Sequence, residues 1–159
     1  KLLARILPGA RLATLTVADK ADLDAPLSMR VTAEVSDFAH RRGQELGFEP
    51  PFAIKVSQLT TLPRRQTPML IREPTYTSVH LAITLPEGAR VTTPLAPVTV
   101  ENDGRVVEVR DTASGGVLVL DRRIDIPAGR VQTDAYPAML KFAREADEAT
   151  LRPITVAVP

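Results

Sequence analysis

Two histidines, a cluster of aspartates, one adjacent pair of carboxylates and three pairs of arginines are the residues whose types could do chemistry in this sequence. Asp19, Asp22 and Asp24 resemble part of a cation loop. A calcium loop of the EF-hand kind needs carboxylates at alternate positions, a central glycine and a closing bidentate glutamate. Here the glycine is missing and the closing position holds Arg30. Aspartates that hydrogen-bond their own backbone explain the cluster, so it is read as a turn. His40 and His80 would need a serine on a nucleophile elbow, and no G-x-S-x-G pattern occurs. Ser114-Gly115-Gly116 has the small residues but reads as a hairpin loop. Nothing in the sequence requires the two histidines to meet.

Asp147 and Glu148 are adjacent on a helix candidate. Neighbouring helical residues point about 100° apart, so the two carboxylates do not converge on one atom and read as a solvated face. The arginine pairs at 41–42, 64–65 and 122–123 are separated and balanced by nearby acids. Each reads as a surface or edge device. Gly115-Gly116 leads into a strand, whereas phosphate- and dinucleotide-binding glycines open a helix. The absence of cysteine removes disulfides, thiolate metal sites and a cysteine nucleophile together. No catalytic, cofactor-binding or metal-ligating residue is assigned, no cofactor is implied, and the chain is not expected to be an enzyme by itself.

The elements that would position such groups belong to a mainly β chain. At 159 residues, the length suits one domain. Two lobes, 1–63 and 64–159, are the alternative division, because Pro63 and Pro68 bracket a charged stretch too short to be a long linker. Aromatics are 4% and tryptophan is absent, so the core must be built from Val, Leu, Ile and Ala. Most of the 14 prolines fall between apolar runs, which suits a sandwich with many loops. The net charge is +1, with 20 basic residues against 19 acidic ones spread along the chain; neither nucleic acid nor an anionic membrane is favoured as a partner. No apolar run reaches the roughly 18 residues of a membrane span, so no membrane insertion is expected. The sequence opens at Lys1 without a signal-peptide pattern and is read as a piece of a longer protein.

The organising stretch is 75–126, where four apolar runs alternate with turn residues in the manner of an antiparallel meander. In the first run Thr77, Val79, Leu81, Ile83 and Leu85 share one face, and Tyr76, Ser78, His80, Ala82 and Thr84 share the other. Residues 95–101 form the second run, with Pro97 pointing to an edge or bulge. Asp103-Gly104 predicts a tight type I′ hairpin into 105–111. Residues 117–120 are apolar on both faces, as in a central strand; beyond them Leu118, Leu120, Ile124 and Ile126 share a face.

Upstream, 2–7 is an apolar run, 10–17 is a strand with weak alternation, and 28–36 is a half-buried strand with Met29, Val31, Ala33 and Val35 together. Asp37 would cap a short helix over 38–46, stopped by Gly47. Residues 52–56 read as a strand, 57–62 as strand or loop, and 69–71 as a brief apolar run. Near the end Met139, Phe142, Ala146 and Ala149 recur at helical spacing, giving one amphipathic helix over about 134–150. Asp134 is its expected cap, Pro137 lies in its first turn, and Arg152-Pro153 stops it. Ile154, Val156 and Val158 alternate as a last strand. The fold class is therefore an antiparallel β-sandwich-like domain with a single C-terminal helix.

Several motifs in order carry a resemblance: Leu7-Pro8-Gly9-Ala10 before a strand; Arg65-Gln66-Thr67-Pro68-Met69-Leu70; Leu85-Pro86-Glu87-Gly88; the run Val119-Leu120-Asp121-Arg122-Arg123-Ile124-Asp125-Ile126; and the closing helix from Ala135-Tyr136-Pro137 to Ala149. This order resembles the C-terminal β-rich domain of unknown function that follows the papain-like core in bacterial transglutaminase-like proteins, most clearly over 65–158. The resemblance implies an accessory, structural or interaction module, with the upstream domain of the same polypeptide as its partner and a periplasmic or extracellular location. That family's Cys-His-Asp centre belongs to the core domain and has no matching positions here. The alternative is an independent module binding carbohydrate or protein through a sheet face, with Tyr76, His80 or the Arg122-Arg123 edge as the patch.

Overall fold

The computed structural model describes residues 9–17, 28–36 and 38–159. The apolar run 2–7, the aspartate turn and the Asp37 cap lie outside them. The chain divides into two compact units, Lys1–His40 and Arg41–Pro159.

The first unit is an antiparallel ribbon of β1 (Ala10–Val17) and β2 (Met29–Val35). The weak alternation of β1 has a physical cause. Leu12 faces Ala33 and Thr14 faces Thr32, so Ala13 is an extra residue, a β-bulge. The bulge brings Leu12 and Leu15 to one face with Ala33 and Val31, while Arg11 and Glu34 pair at 2.7 Å. The expected half-burial of β2 is not met: Leu12, Leu15, Met29 and Val31 are exposed. A two-stranded ribbon supplies no second layer of its own to cover that face.

In the second unit a four-stranded antiparallel sheet runs in the order β6-β10-β9-β8, where β6 is Thr75–Thr84, β8 Val98–Asn102, β9 Arg105–Ser114 and β10 Val117–Ile126. The face alternation of β6 holds along its length. Its turns follow sequence chemistry. Asp103 and Gly104 have φ of 48° and 76°, the two positive angles of a type I′ loop, and Gly115-Gly116 repeats the arrangement between β9 and β10. The order departs from a simple meander, because β6 lies beside β10 and not beside β8. Between them the chain leaves the sheet through Pro86 and gives β7 (Arg90–Val91) to another sheet. It returns after Pro97 at the far edge. Three hairpin-linked strands with an earlier strand laid beside the last make a Greek key.

A second sheet runs β3-β4-β12-β7, from β3 (His40–Arg42), β4 (Glu45–Phe48), β7 and β12 (Ile154–Ala157). β3 and β4 replace the helix expected over 38–46. Gly43, with φ of 62°, supplies the positive angle a two-residue hairpin loop needs, and His40, Arg41 and Arg42 are all exposed, leaving no apolar stripe to bury a helix. A short ladder pairs β5 (Met69–Ile71) with β11 (Gly129–Val131). The sheets are not closed into barrels.

The one α-helix among the described residues, α1 (Tyr136–Thr150), lies over β8 and β9 and over a 3₁₀ turn at Val56–Leu59. Met139, Phe142, Ala143 and Ala146 join Val107, Ile124, Ile126 and Tyr136 in the main apolar cluster. Asp134 does not cap α1. Its carboxylate accepts from the Ala135 amide at 2.9 Å, and Ala135 stands at the N-cap without a side-chain bond. Tyr136 anchors that end: its hydroxyl donates to the Leu62 carbonyl at 2.5 Å, and Arg65 stacks on its ring at 5.7 Å.

Residues 52–56 are not a strand. Phe52 has φ of 61°, and Val56 opens the 3₁₀ turn because Asp147 holds it there. The Asp147 carboxylate accepts from the Val56 amide at 2.6 Å and from the Ser57 amide at 3.3 Å. The carboxylate expected on a solvated helix face therefore ties the helix to a turn about ninety residues earlier in the chain. Asp147→Ala is expected to cost about 1–3 kcal/mol, the penalty for buried amides left without an acceptor. Urea unfolding of Asp147→Ala beside Asp147→Asn, which keeps one acceptor oxygen, measures it. A loss shared by neither variant would show that the turn holds itself.

Candidate functional site

Two polar constellations stand out in the second unit, one buried and one exposed. On β10 the inward positions are Leu118, Leu120, Arg122, Ile124 and Ile126, so an arginine lies in the middle of an apolar face. Arg122 is register partner of Val109, which places Asp111 diagonally across on β9, on the same face. Arg122 Nη2 donates to Asp111 Oδ2 at 2.9 Å, and Arg122 Nη1 donates to the carbonyl of Thr150, the last residue of α1. The Asp111 side chain is fully buried and that of Arg122 is 6% exposed. Arg152 approaches the same Asp111 oxygen at 3.8 Å. The final carbonyls of a helix have no intrahelical donor, and the partial negative charge there favours a cation. Arg122 is thus an internal C-terminal cap held by a buried counter-ion. It is no surface device, and the position was readable: it shares the parity of the four apolar residues around it.

The outer face of the same sheet carries the second constellation. Cross-strand partners there are His80 with Asp121, Asp121 with Arg110, and Arg123 with Ser78 and Glu108. Opposite charges placed across strands hold such a face together. His80 Nδ1 lies 2.5 Å from Asp121 Oδ1; Arg110 meets Glu108 at 2.8 Å and Arg123 meets Asp125 at 3.0 Å. Arg123 also stacks on the Tyr76 ring at 5.6 Å. These groups are largely exposed, and exposed pairs of this kind contribute about 0–1 kcal/mol each.

A carboxylate on His Nδ1 is the orienting half of a Ser-His-Asp arrangement. The other half is missing. Ser78 shares the face, but two residues along a strand are roughly 6.5 Å apart, and no hydrogen bond joins Ser78 to the ring. His40 opens β3 and is exposed. A cleft of about 500 Å³ beside the end of α1 gathers Thr99, Glu101, Glu145, Glu148 and Arg152, with no histidine or lysine in its lining to activate the hydroxyl. Among the described residues no three His, Cys, Asp or Glu side chains are placed to hold a metal ion, and no helix is long and apolar enough to cross a membrane.

Residues 44–156 match the model of DUF3858, a domain of unknown function with solved structure. The chain belongs to the DUF3858 family. DUF3858 domains are known from bacterial transglutaminase-like multidomain proteins, as the motif order led one to expect. The matched span opens at the β3–β4 loop and closes inside β12, so it takes in the whole β6-β10-β9-β8 sheet, α1 and most of the second sheet, but neither β3 nor the β1–β2 ribbon. A comparison with curated proteins finds no match. Among solved structures, the DUF3858 chain is similar to a "putative protease" from Parabacteroides distasonis, with a TM-score of 0.62 and 14% identity. That likeness covers 74% of this chain and 24% of the other, so the chain spans about a quarter of that protein's length. At this identity the likeness shows the fold alone, a β-rich one.

Proposed function

We propose that this DUF3858 chain is a non-catalytic accessory module of a larger transglutaminase-like protein, exported or envelope-associated, which packs against the domain preceding it. One observation carries the reading. The buried polar side chains Asp111 and Arg122 are engaged in joining the end of α1 to the sheet, and the exposed His80–Asp121 pair has no nucleophile within reach. Family membership supports the multidomain setting. The balanced charge agrees with a role apart from nucleic acid.

The purified chain is expected to fold and to show no amidase, protease or acyl-transfer turnover. Turnover that survives repurification and disappears in His80→Ala or Asp121→Ala would overturn the reading. The parent polypeptide is expected to carry a Cys-His-Asp core upstream, and a parent without one would also count against it.

A further inference from the structure

We propose that β6 pairs antiparallel with β6 of a second copy of this chain, across a two-fold axis at His80. β6 is the longest edge strand among the described residues, with β10 on one side and no strand on the other. Its ten residues match β10 without a bulge. The Leu85 amide donates to the Gly116 carbonyl at 2.8 Å, which fixes the parity: odd positions bond toward β10. The backbone groups of Tyr76, Ser78, His80, Ala82 and Thr84 therefore point outward, a row of donors and acceptors awaiting a strand.

Edges are normally blunted by charge, proline, bulges, short length or cover. The other strands at sheet edges follow that rule. β8 is short, follows Pro97, carries Glu101 and lies under α1; β3 is three residues with Arg41 and Arg42; β7 is two residues with Arg90. β6 carries no charge, proline or bulge along its ten residues, and no strand among the described residues pairs with its free side. Between Thr75 and Thr84 there is no Asp, Glu, Lys, Arg, Gly or Pro.

The strand's own sequence points to a second copy as the occupant. Pro74 and Pro86, the prolines that bracket β6, stand at equal distance on either side of His80. Pairing about His80 sets proline against proline at both ends and leaves an uninterrupted ladder between them. A shift of the axis by one residue brings a proline opposite Thr84 or Tyr76 and shortens the ladder. In the symmetric register Val79 of one copy opposes Leu81 of the other, and Thr77 opposes Ile83. All four are only half-buried on the inner face of the edge, and the pairing gives each an apolar or methyl-bearing partner. On the outer face Ser78 opposes Ala82, Tyr76 opposes Thr84, and His80 opposes its own copy, each imidazole held by Asp121. No Asp, Glu, Lys or Arg of one strand faces another across the axis, and an isologous contact of this kind closes as a dimer.

The test is a charge swap on the axis, read by analytical ultracentrifugation of the 159-residue chain. The native chain is expected to form a reversible dimer. His80→Lys and His80→Glu each place like charges face to face and are expected to weaken it at least tenfold. An equimolar mixture of the two variants restores it. His80 is exposed, so both variants should remain folded, with a lower unfolding midpoint in His80→Glu, which sets a second carboxylate opposite Asp121. Amide exchange at Tyr76, Ser78, His80, Ala82 and Thr84 should slow as protein concentration rises. A native chain that stays monomeric overturns the proposal. So does a dimer that neither variant disturbs, as one formed through the exposed face of β1 and β2 would be, or a mixture that fails to recover.

Discussion

Asp111→Ala is expected to destabilise the second unit by about 3–5 kcal/mol, the typical penalty for removing one partner of a buried ion pair. The side chain of Asp111 is wholly buried, and its loss leaves Arg122 inside the sheet with only the Thr150 carbonyl and no counter-ion. Water cannot readily reach the stranded guanidinium, because Leu120 and Ile124 flank it on the same strand face. The companion variant Asp111→Leu with Arg122→Met separates charge from packing. Asp111 Oδ1 and Arg122 Nε have no hydrogen-bond partner among the described residues, so the native pair does not fully offset its own desolvation. The double substitution is therefore expected to recover much of the single variant's loss, though Thr150 then loses its cap. Urea midpoints of the three proteins decide the matter. A loss below about 0.5 kcal/mol in Asp111→Ala, the size of an ordinary surface change, would mean the pair does not hold the helix end.

Phe142→Ala should cost about 3–5 kcal/mol, the range for deleting a buried ring from a packed core. Phe142 is 2% exposed and belongs to the cluster in which α1 meets the sheet. Its neighbours there include Ala143 and Ala146, too small to close over the cavity. Strand β9 contributes Val107, β-branched and stiff, which cannot easily swing into the space. The measurement is again equilibrium unfolding, with Leu140→Ala as a control at a partly exposed position of the same helix. Equal losses in the two variants would mean that the ring contributes no more than a partly exposed side chain does.

Where side chains obey a local period, the fold could be read directly. β6, the Asp103-Gly104 turn and the Met139–Phe142–Ala146 stripe emerged as the periodicity says, because alternation and positive φ are properties of a few adjacent residues. Strand order was not local. β6 lies beside β10, and the segment between β6 and β8 gives β7 to β12, far away in the chain. The helix read over 38–46 failed for a related reason: Gly47, read as its stop, lies instead within β4 opposite Thr155 of β12, and Gly43 turns the hairpin before it. The polar residues divide in the same way. His80 on a wet face was legible from parity. Its partner Asp121 and the grip of Asp147 on Val56 depend on register and on tertiary approach. Arg122 is the instructive case, since its parity placed it inward while its charge argued for the surface. The helix end it caps resolves the conflict.

The position of β12 bears on how the chain can be made. It is an inner strand of its sheet, bonded to β4 on one side and to β7 on the other, so Phe48 meets Ile154 and Val91 meets Val156. On a ribosome, β4 and β7 emerge long before the strand that joins them. Their edges must stay unpaired while the Greek key and α1 are synthesised. Contacts so distant in sequence are slow to close. The first sheet, with its two tight hairpins, can form as it emerges; the second is completed by some of the last residues in the sequence.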